Sequence, residues 1–302
     1  MPATVTQLAG LLTGRATDAS YAAGWAVVRA LPEGLASRLF DAGADLAARR
    51  GGKGVGRLRS NLARVAPGQD LTRAALRSYS RYWREVFRLQ STSPQTVVAG
   101  TVVVGEPAVR ALLASDRGVV FALPHSGNWD TAAAWFAATD VPFTTVAERL
   151  KPESLYDRFV EFRESLGMEV LPLTGGTRPA YDVLVERLEQ GRAVCLLADR
   201  DLTPRGVDVT FFGATARMPA GPASLALKTG AALVPVHLSF RPDGWLITFY
   251  DEVPPSDVGT MTQAMADRFA EGIAAHPADW HMLQRLWLDD LEAGDPRRDT
   301  QS

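Results

Sequence analysis

Residues 118–130 are Gly118-Val119-Val120-Phe121-Ala122-Leu123-Pro124-His125-Ser126-Gly127-Asn128-Trp129-Asp130, and this stretch sets the fold. Its first six residues form an apolar run typical of a buried strand, and the residues from Thr131 onward predict a helix. His125 therefore lies at the carboxyl end of a strand, where open α/β sheets bind their ligands. Asp130 falls in the first turn of the helix, and we expect its carboxylate to reach back to the imidazole.

A histidine with a nearby carboxylate is what general-base catalysis of acyl transfer requires. The neutral imidazole accepts a proton from an alcohol while the alcohol attacks an acyl carbon. A carboxylate on the other ring nitrogen fixes the tautomer and stabilises the imidazolium. Unpaired N–H groups at the helix start lie near the developing negative charge. A His-x4-Asp pattern also arises by chance and a lone histidine is commonly structural, so residues downstream decide between the two interpretations.

The composition limits the classes of function. The chain has 302 residues, 46% of them hydrophobic and 22% charged, which are ordinary globular values, and its net charge is −2. No nucleic-acid-binding motif is present. The single cysteine, Cys195, excludes internal disulfides and a cysteine-based zinc site. We identify no signal peptide and no apolar run long enough to cross a bilayer, so we expect a soluble or peripheral protein.

The N-terminal part combines apolar helices with basic segments. Helices predicted over residues 4–50 either cover one face of a sheet or lie in a membrane surface. Residues 49–64 then contain six basic residues and no acidic one. A helix predicted over 71–89 carries arginines on one face, at positions 73, 77, 81, 84 and 88. We interpret these as a basic surface for anionic headgroups, with an ordinary solvated face as the alternative.

From about residue 100 the predicted strands and helices alternate. The strands are expected over 101–104, 118–123, 143–147, 169–173, 193–198, 207–212, 233–240 and 245–250. The helices are expected over 106–115, 129–139, 152–166, 178–190, 220–229 and 260–275. This alternation predicts an α/β fold with a mostly parallel central sheet flanked by helices, and an N-terminal helical layer. We expect a single domain over 1–302, with a helical part over 1–95 and a catalytic core over 100–290.

Charged residues lie at or near the ends of several predicted strands. These residues are Glu148, Arg163, Asp199 and Arg200. Because the carboxyl ends of parallel strands meet at one edge of a sheet, we expect these side chains to gather near His125. Any one of them alone is explained by ordinary capping or surface ion pairing.

An ordered series of motifs extends this pattern through the chain. It comprises His125 to Asp130, Glu148-Arg149, Arg163, Asp199-Arg200-Asp201, Phe211-Phe212-Gly213, and residues 221–226, 233–236 and 277–285. The series resembles that of the glycerolipid acyltransferase superfamily. More narrowly, it resembles the branch holding the lipid A late acyltransferases and the actinobacterial phosphatidylinositol mannoside acyltransferases. Lipid A enzymes usually carry glutamine at the position of Arg200 and an N-terminal membrane-spanning helix, so the phosphatidylinositol mannoside group is the better match.

The resemblance implies an O-acyltransferase that moves a long-chain acyl group from acyl-CoA to a mannose hydroxyl of a phosphatidylinositol mannoside. It implies His125 as the general base and Asp130 as the residue that orients it. Around them it places a charged shell of Glu148, Arg163, Asp199 and Arg200.

The resemblance also implies where the protein works and with what. Acyl-CoA would be a co-substrate, and no metal, other cofactor or nucleic acid would be needed. We expect peripheral attachment to the anionic surface of the plasma membrane, on its cytoplasmic face. Two alternatives remain: an acyl thioesterase or other hydrolase of the same fold, and a non-catalytic lipid-binding protein.

Overall fold

The structure is a computed structural model that describes residues 24–149, 153–201, 206–292 and 295. The part of the predicted apolar helices before residue 24 lies outside these ranges. In the described part, residues 24–30 are helical and further helices precede the first strand. These are α1 (Glu33–Arg50), α2 (Lys53–Val65), α3 (Thr72–Leu89) and α4 (Pro94–Gly100). None of the described helices combines the length and the apolar character that a bilayer crossing requires.

From Thr101 onward strands and helices alternate, as the sequence predicts. The strands are β1 (Thr101–Val104), β2 (Val119–Leu123), β3 (Phe143–Ala147), β4 (Glu169–Pro172), β5 (Ala193–Leu197), β6 (Val207–Phe211), β7 (Ala214–Met218), β8 (Ala232–Arg241) and β9 (Gly244–Phe249). The helices are α5 (Glu106–Leu113), α6 (Trp129–Ala138), α7 (Glu153–Ser165), α8 (Ala180–Glu189), α9 (Gly221–Thr229) and α10 (Val258–Ala275).

The described strands form a seven-stranded central sheet in the order β1-β9-β8-β2-β5-β3-β4. Only β8 and β9 pair in an antiparallel manner; the other neighbours in this sheet are parallel. The prediction of an α/β fold with a mostly parallel sheet is therefore confirmed. One prediction was incomplete, because the strand predicted over 207–212 does not join this sheet. It is β6, which forms a separate antiparallel hairpin with β7.

The sheet separates two hydrophobic clusters, and β2 lies between them. All five residues of β2 are buried, and alternate side chains point to opposite faces. Phe121 packs with Phe136 of α6 and Phe143 of β3 on one face. Val120 belongs to the cluster on the other face, which includes Phe269 of α10. Burial on both faces explains why this segment is an unbroken apolar run.

Helix α1 buries two of its alanines and exposes its leucines. Ala36 and Ala44 are buried, and the helix packs against α3. Leu35, Leu39 and Leu46 are 46%, 54% and 45% exposed. At about 100° per residue, these leucines fall within a sector of roughly 60°, which we call the leucine face. Exposed arginines flank it at positions 38, 49 and 50.

The predicted basic surface on α3 is wrong, because its arginines form ion pairs with nearby acids. Two acidic residues of α1 pair with four of them, and one acid of α3 pairs with the fifth. The pairs are Arg73 and Arg77 with Asp45, Arg84 and Arg88 with Glu33, and Arg81 with Glu85. Hydrogen bonds from Arg73 and Arg77 hold the pKa of Asp45 well below its usual range. The arginine stripe thus joins α3 mainly to α1.

Candidate active site

His125 lies in the loop between β2 and α6, and its imidazole contacts the carboxylate of Asp199. Its Nδ1 lies 2.5 Å from Oδ1 of Asp199, and its backbone N–H donates to Oδ2 at 3.0 Å. The parallel strands β2 and β5 pair with Leu123 opposite Leu197. His125 and Asp199 therefore occupy equivalent positions, each two residues beyond this last pair. The register of the sheet brings the imidazole and the carboxylate together.

The electrostatics of the pair suit a general base. Asp199 is fully buried, and burial alone would raise its pKa. The charge and hydrogen bonds of His125, together with a hydrogen bond from Trp280, outweigh burial and hold that pKa below its usual value. An ionised carboxylate only accepts hydrogen bonds, so Nδ1 of His125 carries the ring proton and Nε2 can accept one. The histidine side chain is 19% exposed, which leaves it within reach of a substrate.

The loop after His125 is fixed by its own backbone and by α3. Gly127 has a φ of +55°, and a Cβ there would lie 2.7 Å from the carbonyl carbon of Leu238, so this position requires glycine. Asn128 caps α6 by accepting the N–H of Thr131 at 3.0 Å. Its amide nitrogen donates to Glu85 of α3 at 2.8 Å. The turn that carries the imidazole is thus held by the helical layer.

A segment near the C-terminus holds the same loop from the other side. This clamp segment is Asp279–His281. The N–H of Gly127 donates to the carbonyl of Asp279 at 2.9 Å, and the N–H of His281 donates to the carbonyl of His125 at 2.8 Å. The indole Nε1 of Trp280 donates to Oδ2 of Asp199 at 3.0 Å. Sequence reasoning gave these residues no role, since their only signal was a place in the motif series.

The predicted contact between the Asp130 carboxylate and the imidazole of His125 is absent, and Asp130 has other partners. Its Oδ1 accepts from Nε of Arg163 at 2.8 Å, and its Oδ2 accepts from the Tyr82 hydroxyl at 2.9 Å. Arg163 comes from α7 and Tyr82 from α3, so this buried group joins three helices. The carboxylate is drawn to a cation and a hydroxyl within reach, while the imidazole is already held by Asp199. The sequence pattern predicts both carboxylates near the site but assigns the contact with His125 to Asp130 instead of Asp199.

The other predicted shell residues do not reach the imidazole. Arg163 is committed to Asp130, as described above. Glu148 is exposed after β3, which lies two strands from β2. Arg200 is half-buried directly after Asp199. Neither Glu148 nor Arg200 forms a hydrogen bond or ion pair with any residue that the structure describes. Of the four, Asp199 alone contacts His125.

An apolar cavity lies beside the pair, between the sheet and α6. The cavity is small, and part of it is open to solvent. Its lining is mostly hydrophobic and includes Trp129, Ala133, Phe136, Phe143, Met168 and Leu197. The ring of Trp129 is centred 5.7 Å from the ring of His125. A hydrocarbon chain suits such a lining next to the histidine.

Comparisons with known proteins show that this chain is similar to acyltransferases. The chain is 56% identical over 295 residues to a Mycolicibacterium smegmatis protein named phosphatidylinositol mannoside acyltransferase, covering 95% of this chain and 96% of that protein. It is 54% identical over 290 residues to a Mycobacterium tuberculosis protein of the same name, covering 93% and 91%.

The solved structures that are similar include the 1-acyl-sn-glycerophosphate acyltransferase of Thermotoga maritima. It covers 82% of this chain and 98% of its own, with 14% identity and a TM-score of 0.40, a likeness too weak to support an argument. The family model described as bacterial lipid A biosynthesis acyltransferase matches residues 7–289. Because that match spans most of the sequence, the resemblance expected from the motifs is confirmed, and the chain belongs to the bacterial lipid A biosynthesis acyltransferase family.

Proposed function

We propose that this protein transfers a long-chain acyl group from acyl-CoA to a mannose hydroxyl of a phosphatidylinositol mannoside. The observation that carries the proposal is the His125–Asp199 pair at the carboxyl ends of two central strands, beside an apolar cavity. The names of the two mycobacterial relatives support the acceptor. The donor follows from the resemblance of the motif series, and no metal is assigned a role.

The proposed reaction is a direct attack by the acceptor alcohol. Nε2 of His125 takes the hydroxyl proton as the oxygen attacks the thioester carbonyl carbon. Asp199 stabilises the imidazolium that forms. The tetrahedral intermediate then collapses: the carbon–sulfur bond breaks, and the leaving thiolate takes the proton from Nε2. The products are the new ester and free CoA, and His125 is again neutral.

Two further groups have proposed structural roles in this reaction. The apolar cavity would hold the acyl chain, with its carbonyl carbon near His125. The buried Asp130–Arg163–Tyr82 group would keep α3, α6 and α7 in place around that cavity. Asp130 and Arg163 line the cavity themselves, so their mutual neutralisation keeps a free charge away from the hydrocarbon.

We propose that the protein attaches peripherally to the cytoplasmic face of the plasma membrane through the leucine face of α1. Three leucines, each about half exposed, lie on the outer side of a helix that buries Ala36 and Ala44. Inserting each into the interface is worth about 1 kcal/mol. The flanking arginines add roughly 1 kcal/mol each near an anionic surface. This surface replaces the arginines of α3, which are paired internally.

Mass spectrometry of reaction products tests the proposed activity. The purified protein is incubated with a panel of acyl-CoA thioesters and lipid acceptors, and we expect an acylated phosphatidylinositol mannoside as the product. His125→Ala should abolish transfer, and Asp199→Asn should lower kcat by about 10⁴ because the wrong tautomer is then favoured. Release of free fatty acid with no acylated lipid would instead identify a hydrolase. Near-normal transfer by a folded His125→Ala protein would contradict the mechanism.

A further inference from the structure

We infer that Trp280 is a positioning residue for the acyl transfer, whose indole N–H holds the Asp199 carboxylate in place against His125. The inference rests on the proposed function, because it concerns the residue that supports the proposed base. It extends the His125–Asp199 pair to a third member that comes from a distant part of the chain.

The carboxylate of Asp199 is held by very few groups. Oδ1 faces the imidazole, and Oδ2 accepts both the backbone N–H of His125 and the indole N–H of Trp280. Within the described residues, Trp280 is thus the only donor to this carboxylate that does not belong to His125. Asp199 and Trp280 are both completely buried. The indole therefore fixes the rotation of the carboxylate about its terminal bond.

Trp280 is held in place by its neighbours and by the loop that carries His125. Its ring packs against Phe211 and Trp287, with ring centroids 6.1 Å away in each case. Its backbone forms a β-bridge with Ser126, and the next residue donates to the carbonyl of His125. The indole and the imidazole are therefore tied to the same short stretch of backbone, which is the arrangement expected of a positioning group.

The indole affects proton uptake by the catalytic pair. When the imidazole of His125 is neutral, the Asp199 carboxylate carries an unbalanced negative charge, and the indole N–H stabilises this charge strongly. When the imidazole is protonated, its positive charge balances the carboxylate, and the N–H stabilises it less. Without that N–H, the pair takes up a proton more readily, and the two groups titrate as a unit. The acidic limb of the kcat/KM profile, which reports loss of the base, should then move to higher pH.

The charged groups around the His125–Asp199 pair do not substitute for the indole N–H of Trp280. His281 belongs to the clamp segment, and burial, aided by the charge of His125, lowers its pKa to about 3, so it stays neutral near neutral pH. Asp130 on α6 is already neutralised by Arg163 of α7. Arg200 and Asp201 follow Asp199 on its own segment and are the same in every variant below.

The experiment compares Trp280→Phe with wild-type protein in steady-state kinetics across the acidic and neutral range. Phenylalanine keeps the ring but lacks the N–H. We expect the acidic limb to move up by about one pH unit, since hydrogen bonds to charged groups are worth that much. The plateau value of kcat should fall about tenfold, because the freed carboxylate lets the imidazole rotate, while the KM for acyl-CoA stays unchanged.

Trp287→Phe is the matched control. Trp287 is also completely buried, packs in the same cluster, and uses its indole for a single hydrogen bond, to the carbonyl of Phe211 at 2.7 Å. Its loss costs similar packing but leaves the indole N–H of Trp280 on Asp199, so the acidic limb of the pH profile should stay at the wild-type position. Equal effects of the two substitutions, or an unshifted profile for Trp280→Phe, would overturn the inference.

Two further measurements distinguish a failure of the Trp280 inference from a failure of the proposed mechanism. If Trp280→Phe does not fold, benzothienylalanine at position 280 preserves the shape of tryptophan without the N–H and should give the same shift. His125→Ala is measured in the same assay. An inactive His125→Ala beside an unshifted Trp280 variant contradicts the role of Trp280 alone. Normal turnover by His125→Ala contradicts the proposed role of His125 as the base, and the role of Trp280 with it.

Discussion

Asp130 and Asp199 are both buried carboxylates near the site, yet they have different partners. Asp199 contacts the imidazole of His125, whereas Asp130 is neutralised by Arg163. An ion pair of this kind is most costly when one member is removed, because the other charge stays buried without a partner. We therefore expect the two residues to fail in different ways when they are replaced.

Asp130→Asn should lower the free energy of unfolding by about 3 kcal/mol, because the guanidinium of Arg163 then lacks its counter-charge. Urea unfolding of the variant measures this loss. The double variant Asp130→Asn with Arg163→Gln removes both charges and should be more stable than Asp130→Asn alone. Strictly additive losses in the two single variants and the double variant would show that the pair is not coupled.

The sequence supports part of this site and cannot supply the rest. His125 is identifiable from its place between an apolar strand and a helix. Its carboxylate partner is not, because that depends on which strand lies beside β2. Once β5 pairs with β2 and Leu197 lies opposite Leu123, Asp199 must fall beside His125. Sequence spacing favoured Asp130, since proximity along the chain is visible in a sequence and strand order is not.

At the scale of secondary-structure elements, the testable feature is the leucine face of helix α1. Replacing Leu35, Leu39 and Leu46 with serine should weaken binding to anionic vesicles about a hundredfold, since about 1 kcal/mol is lost at each position. Liposome flotation measures the change. The loss should persist at high salt, because screening acts on the flanking arginines and not on the leucines.

Two matched variants accompany that measurement. Val102→Thr and Val104→Thr reduce apolar exposure on the edge strand β1, where these side chains are 41% and 51% exposed, and should leave flotation unchanged. Arg73→Gln with Arg77→Gln breaks the contact with Asp45 and should lower stability without a change in vesicle binding. Unaltered flotation of the folded leucine variant would place the membrane contact elsewhere.

The elements themselves were largely predictable, and the exceptions have physical causes. Long apolar runs such as β2 and periodic helices such as α3 follow from local patterning. The hairpin of β6 and β7 was half missed, because Ala214–Met218 has only one large apolar residue, Met218, and follows a turn in which Phe212 has a φ of +48°. The arginine face of α3 was misplaced because a single helix does not reveal which neighbour packs on it.

At the scale of the whole molecule, two buried histidines make stability depend on pH. Burial is the main reason that the pKa of His237 and of His281 is lowered to about 3, with the charges of His276 and His125 adding to it. In the unfolded chain these rings titrate near 6.5. Between those values the unfolded state binds protons that the folded state does not. Stability is therefore complete above pH 6.5 and falls as the pH drops towards 3.

We expect the free energy of unfolding to decrease below pH 6.5 by up to about 1.4 kcal/mol per pH unit for each histidine. Carboxylates add a separate loss at lower pH: hydrogen bonds from Arg187 help lower the pKa of Glu169 from 4.5 to about 2. Urea unfolding at stepped pH measures both windows. His237→Gln should halve the slope in the upper window, and a flat profile just below pH 6.5 would contradict this origin.

The clamp segment also determines the stage of protein synthesis at which the site can form. Synthesis runs from the N-terminus, so His125, Asp199 and every strand of the central sheet are made before residues 279–281 leave the ribosome. Until then the loop after β2 lacks its second set of backbone contacts, and the carboxylate lacks its indole donor. The nascent chain thus carries His125 and Asp199 before residues 279–281 are made, but the contacts that hold this pair are completed only when that segment follows.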